Sequence, residues 1–239
     1  MSSARQNKDS SVAELYDVWH EPRAVGEKTA NCLWHLLALK YLPDVTGLRV
    51  LEVGCGVGEF TRLLAERGAD VVGADISRFA VEETRREVDG FPSATAAVAD
   101  ICALPFASES FDLVVSLETI EHSPSPRTAR AELVRVLRRG GKLILTHPNY
   151  FDFIGLYRFA KWIGGREFTE AGQPINKWTT SAGSVWHLKW LGCRIEAVDG
   201  TFFKFPIPYG GIFDMSWIDR PHAAAKWIAH HALIVARKR

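Results

Sequence analysis

The sequence predicts an α/β fold built on a doubly wound, mostly parallel sheet of the Rossmann-like type, and three observations predict it. Short apolar runs alternate with segments of helical periodicity from residue 49 to residue 146. A glycine-rich turn follows the first of these runs directly, where such folds place a ligand loop. Two irregular, aromatic-rich stretches come after later strand ends, the edge at which open α/β sheets build their crevice.

Met1 to Ser11 is polar and serine-rich and reads as frayed. Residues 12–42 carry apolar side chains at helical spacing, Leu33, Leu36, Leu37 and Leu39 among them, and form an N-terminal helical segment of one or two helices. Pro43 and Gly47 stop it. Arg49 to Val53 is a nearly continuous apolar run of the kind that fills a buried parallel strand. A helix over Gly58 to Arg67, a strand at Asp70 to Ala74, a helix over Ser77 to Val88 and a weaker strand at Ala94 to Ala99 complete a βαβαβ unit. The pattern continues with a strand at Phe111 to Leu117, a helix over Arg127 to Leu137, Gly140-Gly141 as its stop signal, and a strand at Lys142 to Thr146.

After His147-Pro148 the regularity breaks. Residues 148–178 and 200–221 are expected to be insertions that form a lid and an acceptor pocket, separated by a helix over Thr180 to Leu191 and a strand at Arg194 to Val198. A short helix and a strand near Leu233 to Ala236 end the chain. No internal repeat and no low-complexity segment is present.

At 239 residues, one domain spanning 1–239 is expected. Twenty-nine basic and 28 acidic residues give a formal charge of +1 with no long run of either sign, which argues against nucleic acid as a partner. Cys32, Cys55, Cys102 and Cys193 are scattered, without a C-x-x-C pair, so neither a zinc knuckle nor a disulfide framework is indicated. Met1 to Lys8 lacks the apolar core of a signal peptide, and no stretch approaches roughly 20 uncharged apolar residues. A cytoplasmic protein without a membrane span is the expectation. Oligomeric state is not legible.

The strongest local signal is Glu52-Val53-Gly54-Cys55-Gly56-Val57-Gly58, which leaves a strand and opens a helix. Glycines let the backbone approach a ligand and turn sharply. A dinucleotide and S-adenosylmethionine (SAM) compete for such a loop. The dinucleotide fingerprint wants a small residue where Glu59 stands and seats a pyrophosphate on the helix N-terminus, which a carboxylate there repels. Glu52 suits a ligand bearing an ammonium and a sulfonium. Asp75, about 20 residues past the glycines, can accept hydrogen bonds from both ribose hydroxyls of either cofactor. Asp100 ends the third strand, where it can accept the adenine amino group while Ile101 packs on the ring.

These stretches resemble the class I SAM-dependent methyltransferases, in particular the small-molecule branch that includes the ubiquinone-biosynthesis O-methyltransferases. The likeness covers Leu48 to Thr146 and rests on Val50 to Gly58, Gly73 to Ser77, Ala99 to Ile101, Phe111 to Val115, and Glu118 to His122 leading to Leu137 to Lys142. It implies a seven-stranded sheet whose last strand is antiparallel. It also implies a SAM site in which Gly54, Gly56 and Gly58 run along the methionine part, Asp75 and Ile76 hold the ribose, Asp100 and Ile101 the adenine, and Glu52, Leu117 and Tyr16 complete the walls. Tyr16-Asp17 folds over the cofactor as a lid in similar enzymes, but a helical aromatic also serves as core packing.

Methyl transfer from a sulfonium is an in-line displacement, so alignment and exclusion of water can supply most of the acceleration. A hydroxyl acceptor must also lose a proton, for which histidine is the usual base. His122, closing Glu118-Thr119-Ile120-Glu121-His122, and His147, after the next strand, are the base candidates, with Glu121 beside the first. Glu118, Glu121, His122 and His147 together are also candidate ligands of a divalent metal, since Glu-x-x-Glu-His resembles an element of metal-dependent 2′-O-methyltransferases acting on small-RNA 3′ ends. Metal-free relatives carry similar stretches, and no metal is the preferred expectation.

Tyr150, Tyr157 and Tyr209 lead the candidate acceptor contacts, among Phe151, Phe153, Phe159, Trp162, Phe202, Phe203, Phe205, Phe213 and Trp217. Arg158, Lys161 and Arg166 are available to an acidic group. The expected activity is O-methylation of a small, partly apolar or aromatic metabolite. The alternatives are a metal-dependent RNA 2′-O-methyltransferase, an N- or C-methyltransferase, a nicotinamide oxidoreductase, and a SAM-binding module without catalysis.

Overall fold

The computed structural model describes residues 11–21, 32–151, 173–201 and 229–239 in full, residues 155, 163 and 227 individually, and the backbone of 204–207 and 211–214. Two leading helices, α1 (Val12–His20) and α2 (Leu33–Leu39), precede β1 (Arg49–Val53), α3 (Glu59–Glu66), β2 (Asp70–Asp75), α4 (Arg78–Glu87) and β3 (Ala94–Val98). Next come β4 (Phe111–Leu117), a 3-10 turn at Ile120–His122, α5 (Pro126–Val136), β5 (Leu137–Pro148), α6 (Ser181–Trp190) and β6 (Cys193–Thr201). A hairpin of β7 (Lys204–Ile207) and β8 (Gly211–Asp214) and the strand β9 (His231–Lys238) end the order. Helix starts follow local chemistry. The Ser77 hydroxyl accepts from Ala80 N at α4, Ser125 accepts from Thr128 N with Pro126 opening α5, and Ser11 and Glu14 form a reciprocal capping box at α1.

Seven strands form one sheet in the order β3-β2-β1-β4-β5-β9-β6, with β9 antiparallel to both neighbours and the other pairs parallel. The chain moves outward from β1 to β3 and then crosses back to lay β4 on the other side of β1, so the switch point lies between the ends of β1 and β4. Alternation along the strands covers both faces. Leu51, Phe111, Leu145 and Ile234 pack with Leu133 of α5 and Leu188 of α6, whereas Val50, Leu113, Ile144 and Val235 pack with Leu64 of α3. Each of these side chains is almost fully buried, a contribution of about 1.5–3 kcal/mol apiece before the entropy of ordering is subtracted.

Two expectations are corrected. Gly140-Gly141 does not stop a helix: α5 ends at Val136, Leu137 is already extended, and the glycines lie inside β5. There they make a bulge, because Phe111 pairs with Leu137 while Leu113 pairs with Lys142; Gly140 takes φ +75°. The stretch 200–221 also contains regular structure, the β7–β8 hairpin, in which Pro206 pairs with Ile212. Proline argues against an interior strand, but in a two-stranded ribbon every strand is an edge.

Candidate functional site

A cavity of about 440 Å³ opens at the switch point. Its floor is the glycine loop after β1, where Gly54 N and Cys55 N both donate to Ala74 O at the end of β2, at 2.7 and 3.1 Å. Gly54 takes φ +80°, and a Cβ on it would lie 2.1 Å from Thr119 Oγ1, so the loop after β4 closes down on this residue as only glycine permits. Gly58, also at positive φ, is not on the cavity wall. A Cβ there would sit 2.8 Å from Thr84 Cα, so this glycine lets α3 approach α4.

Glu52, Gly54, Gly56, Asp75, Ile76, Asp100, Ile101, Leu117 and Tyr16 all line the cavity. Asp75 is buried, with Oδ2 accepting from Gly56 N and Oδ1 from Ser77 N, both at 3.0 Å. That grip aims the carboxylate from β2 across the glycine loop, and each oxygen keeps a further lone pair for a ligand hydroxyl. Asp100 is exposed and accepts from Cys102 N at 2.8 Å, with Ile101 buried beside it. Glu59 stands at the first position of α3 and on the cavity wall, where it opposes a pyrophosphate. Glu52 is buried and accepts from the Thr61 hydroxyl; burial pushes its carboxyl up to about 8, against the hydrogen bond.

Helix α1 roofs this cavity. Tyr16 is buried and donates its hydroxyl to His122 O at 3.3 Å, and burial pushes its phenol up. Asp17 accepts from the Ser77 hydroxyl at 2.5 Å and from Phe79 N at 3.1 Å, which locks α1 onto the start of α4.

The acid–base candidates separate. His122 lines the cavity. Its Nδ1 lies 2.9 Å from Ile175 O, which can only accept, so Nδ1 carries hydrogen; Nε2 faces Glu121 Oε1 at 3.3 Å. Glu121 is fully buried and off the cavity wall. His147 is off it as well. It is fully buried, with Nδ1 2.8 Å from Pro148 O and Nε2 2.9 Å from Ser184 Oγ on α6, and burial pushes its pKa down to about 4. The reason is strand parity: the alternation of β5 sends His147 to the face covered by α6 and Thr146 toward Glu118 N, 3.0 Å away. Glu118, Glu121, His122 and His147 therefore do not converge, and among the described residues no group of three or more His, Cys, Asp or Glu gathers as a metal site.

Glu118 lies on the wall with Oε2 2.8 Å from Nδ1 of His231, the first residue of β9. The His231 partnership outweighs the burial that would raise the Glu118 carboxyl and holds it below the ordinary value. No sequence motif marks His231; only the insertion of β9 beside β5 brings it here. Thr61 and Thr119 escape sequence reading too, although a threonine on the apolar face of α3, between Phe60 and Leu64, is a detectable irregularity.

Tyr150 is buried but away from the cavity: it donates to Asn176 Oδ1 at 2.6 Å and packs on Trp178 with ring centroids 5.2 Å apart. Tyr157 and Tyr209 lie outside the described residues, as do the side chains of Phe153, Arg158, Phe159, Lys161, Trp162, Arg166, Phe202, Phe203, Phe205, Phe213 and Trp217.

Residues 51–145 match the family described as "Methyltransferase domain". That stretch of the chain is thus similar to a methyltransferase domain. A demethylmenaquinone methyltransferase of Renibacterium salmoninarum is 33% identical over 149 residues, 61% of this chain and 60% of that one. A 2-methyl-6-phytyl-1,4-hydroquinone methyltransferase of Synechocystis is 38% identical over 107 residues, 44% of this chain and 34% of its own. The chain thus spans three fifths or less of these two curated relatives. An S-adenosylmethionine-dependent methyltransferase from Mesorhizobium loti superposes with a TM-score of 0.66 at 22% identity, covering 88% of this chain and all of that one, which shows the shared fold. The matched stretch supplies most of the cavity wall, including Gly54, Gly56, Asp75, Asp100 and Glu118. No helix among the described residues is long and apolar enough to cross a membrane.

Proposed function

We propose that the chain binds SAM in this cavity and transfers its methyl group to a small, partly apolar or aromatic acceptor, with O-methylation of a hydroxyl as the reaction. The observation that carries the reading is the set of acids around the glycine loop: buried Glu52 before it, Asp75 across it, Asp100 beyond, and Glu59 on the first turn of α3. Asp75, Asp100 and Glu59 suit a cationic nucleoside and oppose a diphosphate, with Glu52 joining them once it gives up its proton, which disfavours a nicotinamide dinucleotide.

In this reading Asp75 accepts from the ribose hydroxyls, Asp100 from the adenine amino group, and Ile76, Ile101 and Leu117 supply apolar walls. Glu52 faces the ammonium end. Bound SAM supplies the activated methyl. The chain's part is then alignment under α1, exclusion of water by Tyr16, and acceptance of the acceptor's proton. Glu118 is the group assigned to that proton, because it lines the wall, while both ring nitrogens of His122 face other groups.

A second reading, C-methylation of a hydroquinone ring, is favoured by the names of the relatives, demethylmenaquinone methyltransferase and 2-methyl-6-phytyl-1,4-hydroquinone methyltransferase. Incubation with SAM labelled by ¹³C at the methyl, using simple phenols and reduced naphthoquinones as acceptors, followed by mass spectrometry and NMR of the product, decides between the two. A methoxy carbon supports the first reading and an aryl methyl the second. Absence of heat on titrating SAM into folded protein would overturn both, and SAM binding without turnover on any acceptor would leave a non-catalytic binding module.

A further inference from the structure

The outward face of α6 carries Ala182, Trp186, Lys189 and Trp190, all exposed, while Ser184, Val185, His187 and Leu188 are buried against the body of the domain. Trp186 and Trp190 keep 63% and 65% of their surface in water. Two indoles one helical turn apart form an apolar ridge, and such ridges mark interaction sites. Arg127 of α5 lies over the Trp190 ring, 5.5 Å from its centroid, and the ring of His187 stacks on Trp190 at 5.8 Å. Arg130 donates to His187 Nδ1 and Ser184 Oγ, both at 3.2 Å.

The exposed charged groups on the ridge itself, Arg127 and Lys189, are both basic. The two stretches of chain that build it, 122–131 and 173–195, contain Arg127, Arg130, Lys177, Lys189 and Arg194 and no Asp or Glu, in a chain whose formal charge is only +1. Arg194 is paired with Glu196. Arg130 turns inward to His187 and Ser184, and burial, then the neighbouring Arg127, push its guanidinium down to about 10.

We propose that this α5–α6 face docks on an anionic phospholipid bilayer, with Trp186 and Trp190 at headgroup depth and Arg127 and Lys189 against the lipid phosphates. Tryptophan prefers the water–lipid boundary because its ring is apolar and its N–H is polar, and basic side chains extend from that depth to phosphate. A surface on which two exposed indoles stand beside the exposed Arg127 and Lys189 has the complement of such a membrane on both counts. The inference does not depend on the reading of the cofactor cavity.

The test is flotation of the whole chain with vesicles of phosphatidylcholine alone or with about one-third phosphatidylglycerol, where negative surface potential is the variable. Binding is expected to the anionic vesicles and not to the neutral ones, to weaken steeply in high salt, and to be accompanied by a blue shift of tryptophan fluorescence. The pair Trp186→Ala and Trp190→Ala, and separately Arg127→Glu with Lys189→Glu, should each weaken binding by about tenfold or more, while the heat of SAM titration and the melting temperature stay near those of the parent. The charge-reversal pair keeps the test valid if the tryptophan pair folds poorly. No binding to anionic vesicles, or equal binding by parent and both variants, would overturn the proposal. A concentration-dependent dimer in sedimentation that the tryptophan pair abolishes, without vesicle binding, would assign the face to a second copy of the chain instead.

Discussion

His231 Nδ1 lies 2.8 Å from Glu118 Oε2, and the contact ties the end of β4 to the start of the antiparallel strand β9. The pairing is a consequence of strand direction. β9 begins opposite Pro148, at the edge where β4 and β5 finish, so its first residue meets Glu118 of the cavity wall. Glu118 adopts φ +50°, an uncommon conformation for a glutamate, and it is held there by Thr146 O and Oγ1, which accept from its N–H at 3.2 and 3.0 Å, and by the His231 ring.

Removing His231 should therefore expose the full effect of burial on Glu118. Because its folded pKa is depressed, the Glu118 carboxyl contributes stability at pH values above the ordinary carboxylate range and loses it as pH falls through the lower folded value. His231→Ala is expected to cost about 1–3 kcal/mol near neutrality and to flatten the acid limb of the stability curve. Denaturant titrations of His231→Ala, Glu118→Gln and the double variant should return a coupling of about 0.5–3 kcal/mol. Strictly additive effects would show the two side chains to be independent.

Glu52 makes SAM binding a proton-linked event in the proposed function. Without ligand its carboxyl is pushed up to about 8 by burial and is mostly protonated at neutral pH. A cation bound beside it lowers that value, so binding at pH 7 releases a proton, and affinity rises with pH until about 8 and then levels. Calorimetry in buffers of different ionisation enthalpy reads the released proton directly. Glu52→Gln, which keeps a partner for Thr61, should weaken SAM binding and remove the pH dependence; an unchanged slope in that variant would exclude Glu52 as the linked group.

The legible parts are those written in local periodicity. Phe111 to Leu117 is a strand with the expected limits because it is a mostly apolar run, broken by Asp112 and Ser116, that is buried along nearly all its length. The α3 and α4 boundaries fall within a residue or two of expectation because their periodicity and their start signals at Gly58 and Ser77 are local too. The cofactor side of the site is equally local, since Glu52 to Gly58 and Asp75 are joined by one βαβ step. What escapes is set by long-range pairing. His231 meets Glu118 across 113 residues, and whether His147 faces the cavity depends on the parity of one strand, which a shift of one residue reverses. Tyr150 escapes for a related reason: an aromatic next to a crevice in sequence is as well satisfied by an internal partner, here Asn176.

The loop glycines differ in what they tolerate. At Gly54 a Cβ would overlap Thr119 at 2.1 Å as well as strain a backbone at φ +80°, whereas at Gly56 the nearest atom, His20 Cε1, is 3.7 Å away and only the backbone penalty at φ +53° applies. Gly56→Ala is expected to cost about 1–2 kcal/mol and to leave the fold intact. Gly54→Ala must displace the loop after β4, so it should cost more and abolish SAM binding as measured by calorimetry. Equal effects of the two substitutions would mean that Thr119 yields without consequence.

His147 sharpens the distinction between a base and a structural histidine. Its ring is buried and uncharged between Pro148 O and Ser184 Oγ, and its pKa is held down to about 4 by burial. A histidine depressed in the folded state disfavours the native structure once the unfolded chain takes up a proton, so stability should fall as pH drops from about 6.5 to about 4, by up to roughly 3 kcal/mol from this group. His147→Gln, which retains an acceptor for Ser184, should lower stability at pH 7 through imperfect packing yet lessen the loss between those pH values. In an assay with any accepted substrate its kcat should match that of the parent at temperatures well below melting, because the ring touches α6 and not the cavity. A drop in kcat of about 10²-fold with unchanged stability would instead return His147 to the chemistry.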